Sequence, residues 1–107
     1  MNANAMLRGL KPMHPGELLR KVVLPALGRQ KKEIAALLGV SRQMLHEIIE
    51  ERAPVTPAMA LRLGKLCGNG ADIWLNLQRT YDLATEEKRL SAELKKIPTL
   101  KSADEAA

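Results

Sequence analysis

The sequence predicts an all-α domain, and three observations carry that expectation. Aromatic side chains are nearly absent, with one Trp, one Tyr and no Phe in 107 residues, yet 46% of the residues are apolar. A core must therefore be built from Leu, Ile, Val, Ala and Met, the side chains of packed helices. Apolar residues also recur three or four apart in short stretches that open near Ser, Thr or Pro and stop at Gly or Pro. No alternating stretch has the length of a convincing strand, and no segment repeats.

Residues 1–12 (MNANAMLRGLKP) lack periodicity and read as a flexible N-terminal arm. At His14-Pro15-Gly16-Glu17 a helix begins, because proline suits the first helical position and an early glutamate suits the positive end of the helix dipole. His14 is read as its cap. Leu18, Leu19, Val22 and Val23 form its apolar stripe, and Pro25 is expected to end it by pushing Leu24 out of helical geometry. A second helix follows over residues 30–38 (QKKEIAALL), with Ile34, Ala35, Leu37 and Leu38 as apolar positions and Gly39 as its left-handed stop. Ser41 caps the third helix, which buries Leu45, Ile48 and Ile49.

Thr56-Pro57 opens a fourth helix with Met59, Ala60, Leu63, Leu66 and Cys67 inward, closed by Gly68. After Asn69-Gly70 a fifth helix carries Ile73, Trp74, Leu77 and Tyr81, with Trp74, Leu77 and Tyr81 read as core or dimer interface. Thr85 is read as the cap of a last helix with Leu90, Leu94 and Ile97 on one face, stopped by Pro98. Residues 99–107 read as a disordered tail. The chain thus divides into an arm (1–12), a helical domain (13–83) and a C-terminal helix with its tail (84–107).

One cysteine, Cys67, excludes an internal disulfide, and its place on an apolar stripe makes it a small buried hydrophobe. No Cys/His cluster implies a metal, and no cofactor is expected. No apolar run approaches the ~20 residues that span a membrane, so a cytoplasmic protein is expected. The net charge of +5 is concentrated at the N-terminus: residues 1–29 carry +4, residues 30–52 carry zero, residues 53–83 carry +1 and residues 84–107 carry zero. An anionic partner and a merely solvated basic surface both fit that distribution.

Two short helices joined at Gly39, with small Ala35 four residues before it, have the pattern of a helix-turn-helix. Ala35 lets the helices cross closely, and Ile34, Leu38, Val40, Leu45 and Ile48 fill the angle between them. On the third helix Arg42, Gln43 and His46 face outward because Leu45, Ile48 and Ile49 face in. No convergent carboxylates, nucleophile–base pair or phosphate loop point to an enzyme.

The stretches HPGELLRK (14–21), KEIAALLGVSRQ (32–43), PVTPAMALRLGKL (54–66) and WLNLQRTYDL (74–83) resemble the HigA/VapI-type antitoxins of bacterial toxin–antitoxin pairs, a lambda-repressor-like helix-turn-helix family. The resemblance covers residues 13–83. It implies a five-helix DNA-binding and dimerisation domain with an additional C-terminal helix. It also implies a homodimer that represses its own operon and neutralises a RelE-like ribonuclease toxin encoded beside it. A stand-alone transcriptional regulator without a toxin is the alternative.

Carried onto this chain, the reading helix starts at Ser41, near a phosphate, and Lys31 and Lys32 hold the DNA backbone. Arg42 suits guanine and Gln43 suits adenine. Met44 either touches a thymine methyl or pads the edge of the core, and His46 meets solvent or phosphate. The chain departs from the family pattern at Gln30, a weaker cap than Ser or Thr, and at Met44 and His46, where Thr or Ser is usual. Gly70-Ala71 also stands in place of Ser-Pro, and Glu50-Glu51 in place of Asn-Gly. Without that glycine the reading helix is expected to run toward Pro54. Three readings of the acidic residues stay open. Glu47 accepts from cytosine N4, Glu50 and Glu51 pair with Arg52 or lysines, or the group repels phosphate.

Overall fold

A computed structural model describes residues 12–103. The expected arm, except Pro12, and residues 104–107 of the expected tail lie outside the described residues. Within them the chain is helical throughout, without a strand.

The first helix, α1, is one continuous run of three pieces: Pro15–Leu18, a wide π-turn over Leu19–Val23, and Leu24–Leu27. The imidazole Nδ1 of His14 accepts from the Gly16 amide at 2.9 Å, so His14 is the cap that the sequence predicts. Pro25 does not end the helix. Leu24 keeps helical angles (φ −62°, ψ −45°) and its N–H reaches back five residues to the Leu19 carbonyl. A π-turn widens the helix by one residue, which makes room for a proline ring that lacks the N–H of an ordinary turn. The stop comes at Gly28, with φ 65°.

Helix α2 spans Lys31–Leu38, α3 Arg42–Ile49, α4 Pro57–Cys67, α5 Asp72–Arg89 and α6 Ser91–Lys95. Gln30 gives α2 no side-chain cap, as expected of that residue, whereas Ser41 and Thr56 cap α3 and α4 through their hydroxyls. Thr85 caps nothing. It lies inside α5, and its hydroxyl donates to the Tyr81 carbonyl at 2.9 Å, so the helix crosses residues 83–84 unbroken and pauses at Leu90.

Leu19, Ile34, Ala35, Leu38, Leu45, Ile48, Ile49, Val55, Met59, Ala60, Leu63 and Trp74 form one core. Within residues 13–83 three expected stripe residues are exposed, Val22 (54%), Leu37 (57%) and Ile73 (43%), and Leu94 and Ile97 of the last expected stripe are exposed as well. Cys67 is half-buried, which still pushes its thiol pKa up. Trp74 is fully buried and donates from Nε1 to Asn69 Oδ1 at 3.1 Å. One turn later Gln78 is buried too. Its Oε1 accepts from the Val55 amide at 2.8 Å and its Nε2 donates to Asp82 Oδ1 at 2.9 Å. Gly16 allows α1 to cross α3 almost in backbone contact, because a Cβ there would stand 1.9 Å from the Ile48 carbonyl oxygen.

Candidate nucleic-acid interface

Helices α2 and α3 meet at Gly39, whose φ of 74° is left-handed. Two backbone bonds close this turn: Val40 N–H to the Ala35 carbonyl at 3.0 Å and Gly39 N–H to the Ala36 carbonyl at 3.1 Å. The Arg62 guanidinium donates to the Leu38 carbonyl at 2.7 Å from α4 and so fixes the angle from a third helix. Ala35, Leu38, Leu45 and Ile48 are buried in that angle, as a helix-turn-helix requires.

The far end of α3 repeats the same turn with a different residue. Glu51 takes φ 63°, the one left-handed non-glycine among the described residues. Glu51 N–H donates to the Ile48 carbonyl at 3.0 Å and Arg52 N–H to the Glu47 carbonyl at 2.8 Å. This pair of bonds is the Schellman closure of a helix. The expected extension toward Pro54 does not occur, because Glu51 adopts the conformation a glycine would have supplied. The conformation costs a side-chain-bearing residue about 1 kcal/mol. Arg20 offsets part of it from α1, donating to the Ile49 carbonyl at 2.6 Å and pairing with Glu51 at 3.1 Å.

Of the acidic residues, Glu51 has a partner other than those expected. Glu51 pairs with Arg20, not with Arg52 or a lysine. Arg52 instead forks onto Glu47, with Nε to Oε2 at 2.9 Å and Nη2 to Oε1 at 3.1 Å. Gln43 Nε2 donates to the same carboxylate at 2.7 Å. The hydrogen bonds from Arg52 hold the Glu47 carboxyl below its ordinary pKa. Glu50 is exposed at the helix end.

Lys31, Lys32, Ser41, Arg42, Gln43 and Met44 all lie exposed along α2 and the first turn of α3, while His46 and Glu47 are half-buried. Among the described residues no ion pair engages Lys31, Lys32 or Arg42. Met44 is 47% exposed and borders an open notch shared with Val40, Pro54 and Thr56. Trp74 belongs wholly to the core, whereas Leu77 and Tyr81 are half-buried. The Tyr81 ring meets His14 edge to face at 4.9 Å. Arg20, Arg62 and Gln78 support the motif and escaped the sequence reading, since their partners lie 23 to 31 residues away. No helix of the described residues is long and apolar enough to cross a membrane.

No family model matches the chain. Individual relatives do. Virulence-associated protein I of Dichelobacter nodosus is 40% identical over 76 residues, covering 71% of this chain and 70% of that protein. Antitoxin HigA-1 of Vibrio cholerae is 30% identical over 90 residues, covering 84% of this chain and 85% of that protein. The solved structure of the Pseudomonas aeruginosa antitoxin HigA with the higBA promoter superposes with a TM-score of 0.79 at 33% identity, covering 85% of this chain and all of that one. A helix-turn-helix with this geometry and relatives of this similarity over most of their length have one reading: the chain belongs to the HigA/VapI family of helix-turn-helix antitoxins, which are not enzymes.

Proposed function

We propose that this antitoxin binds the operator of its own operon as a homodimer and neutralises a RelE-like ribonuclease toxin. The observation that carries the DNA-binding half is the exposed row from Lys31 to Gln43 on a rigid helix-turn-helix, its lysines and Arg42 outside every ion pair of the described residues. The similar HigA solved with its promoter supports the same reading. Lys31, Lys32, the Ser41 cap and His46 hold phosphates, Arg42 reads guanine, Gln43 reads adenine, and exposed Met44 meets a thymine methyl. Leu77 and Tyr81, half-buried on α5, lie toward the second subunit. Two such subunits present their α3 helices about 34 Å apart, one turn of DNA.

The test is titration of the purified chain onto DNA from immediately upstream of its gene. Binding is expected to weaken about a thousandfold between about 50 and about 200 mM salt, and Lys31→Ala plus Lys32→Ala to flatten that dependence. A chain that shifts no upstream DNA at low salt is not an operator-binding repressor. Co-expression with the neighbouring short reading frame tests the toxin half. Failure to co-purify a ribonuclease would favour a stand-alone regulator.

A further inference from the structure

The chain of contacts Arg52–Glu47–Gln43 lies on the exposed side of α3 and does more than neutralise an acidic residue. We infer that Glu47, anchored by Arg52, is a positioning residue for base reading: it fixes the side-chain amide of Gln43 in one orientation, which favours adenine over guanine. The inference rests on the DNA-reading function proposed above.

An ionised carboxylate only accepts hydrogen bonds, so the amide nitrogen of Gln43 must face it and the amide oxygen must face away. The 2.7 Å contact from Gln43 Nε2 to Glu47 Oε1 has that polarity. One Nε2 proton is used, which leaves the second proton and Oε1 for a partner. Adenine offers the complement on its major-groove edge, a donor at N6 and an acceptor at N7. Guanine offers two acceptors there, and one of them would face Oε1. A freely turning glutamine adapts to guanine through its nitrogen alone. A clamped one does not.

The clamp is itself built. The left-handed turn at Glu51 folds the chain back, so that Arg52 meets Glu47 twice. Its backbone N–H reaches the Glu47 carbonyl at 2.8 Å and its guanidinium forks onto both carboxylate oxygens. Three hydrogen bonds then converge on one carboxylate, and its ionised form is favoured by the Arg52 contact. With those bonds in place Glu47 has little acceptor capacity left for a cytosine. Its effect on sequence preference passes through Gln43.

The test selects binding sites from a pool of random duplexes with the full chain and with Gln43→Ala, which identifies the base pair that Gln43 reads. At that pair Glu47→Ala is expected to lower the adenine-over-guanine preference about fivefold or more, with preferences elsewhere and the salt dependence kept. Arg52→Met should lower it in the same direction. Glu50→Ala, which removes an equal charge nearby, should leave it unchanged. In the Gln43→Ala background Glu47→Ala should add nothing. A uniform change at every base pair, a new preference at a different pair, or an undiminished effect without Gln43 overturns the inference. A wild-type chain that selects no sequence overturns it together with the DNA-reading function. The Gln43 side-chain amide signals in the free protein separate the two failures, since they should move on Glu47→Ala if the clamp exists without DNA.

Discussion

Helix α5 belongs to two different environments. As far as Gln78 it is part of the packed body, with Trp74 and Gln78 both buried; from Arg79 to Ala103 no described side chain is buried. Both halves carry apolar residues at helical spacing, so periodicity does not distinguish them. The difference lies in what fixes each half. The first half is tied by Trp74 to Asn69 and by Gln78 to the Val55 amide. Beyond the edge-to-face contact of Tyr81 with His14, the second half rests on helix propensity and on local bonds such as the Glu86–Arg89 ion pair. A helix forms in both places, but only the first half is placed by buried side chains.

The comparison breaks first, and with the largest effect, at Gly16. Gly16→Ala puts a methyl group 1.9 Å from the Ile48 carbonyl oxygen, and the atom in its way is backbone that cannot rotate aside. The expected loss is about 3 kcal/mol in a urea melt, at the upper end for overpacking. A loss below about 1 kcal/mol would mean that α1 lifts off α3 freely. Gln78→Met comes next. It keeps the volume but leaves the buried Val55 N–H without an acceptor, at a cost of about 1–3 kcal/mol. The same replacement at Arg79, one residue along and exposed, is expected to stay within about 0.5 kcal/mol.

Much of the packed body was legible because its signals are local. His14 before Pro15, Ser41 before Arg42 and Thr56 before Pro57 announce their helices, and all three cap as expected. Gly39 announces the turn of the motif. What escaped depends on residues far apart or on a choice between two local solutions. Pro25 permits either an end or a π-turn, and packing of Leu19 and Val23 decides for the turn. Glu51 looked unable to stop a helix because its compensating partner, Arg20, lies 31 residues earlier. Gln78 carried a usable hint, four residues after Trp74 on the same face, but a polar residue there reads as solvated until Val55 is brought beside it. On α3 the exposed positions of Arg42 and Gln43 followed from the inward ones, whereas His46 is half-buried rather than outward. The linkage of Gln43, Glu47 and Arg52 did not follow, since Arg52 returns only through the left-handed turn.

Acid sharpens the comparison without a mutation. Burial lowers the His14 pKa, with Arg20 acting the same way and Glu51 and Asp82 opposing. The unfolded chain then takes up a proton at a higher pH than the folded one, so this residue's contribution to stability is complete above about pH 6.5 and is lost as pH falls through the lower folded value. A protonated ring can no longer accept from the Gly16 amide, so the loss falls on the cap of α1. Chemical melts between pH 8 and pH 5 should show a slope that His14→Asn, a capping residue that does not titrate, flattens. An unchanged slope in that variant would assign the acid sensitivity to other groups.

The smallest expected effect tests the second half of the comparison. Leu94 is 45% exposed and Ile97 65%, so exchanging both for Gln removes little buried surface from the single chain. At about 25 cal/mol per Å2 of apolar area the change in its folding stability should stay below about 0.5 kcal/mol at low protein concentration. Concentration is the lever. If the proposed second subunit covers this face, the wild-type melting temperature should rise with protein concentration and the double variant should lose that rise. A large loss at every concentration would mean that these residues pack within their own chain, and that the packed body does not end at Gln78.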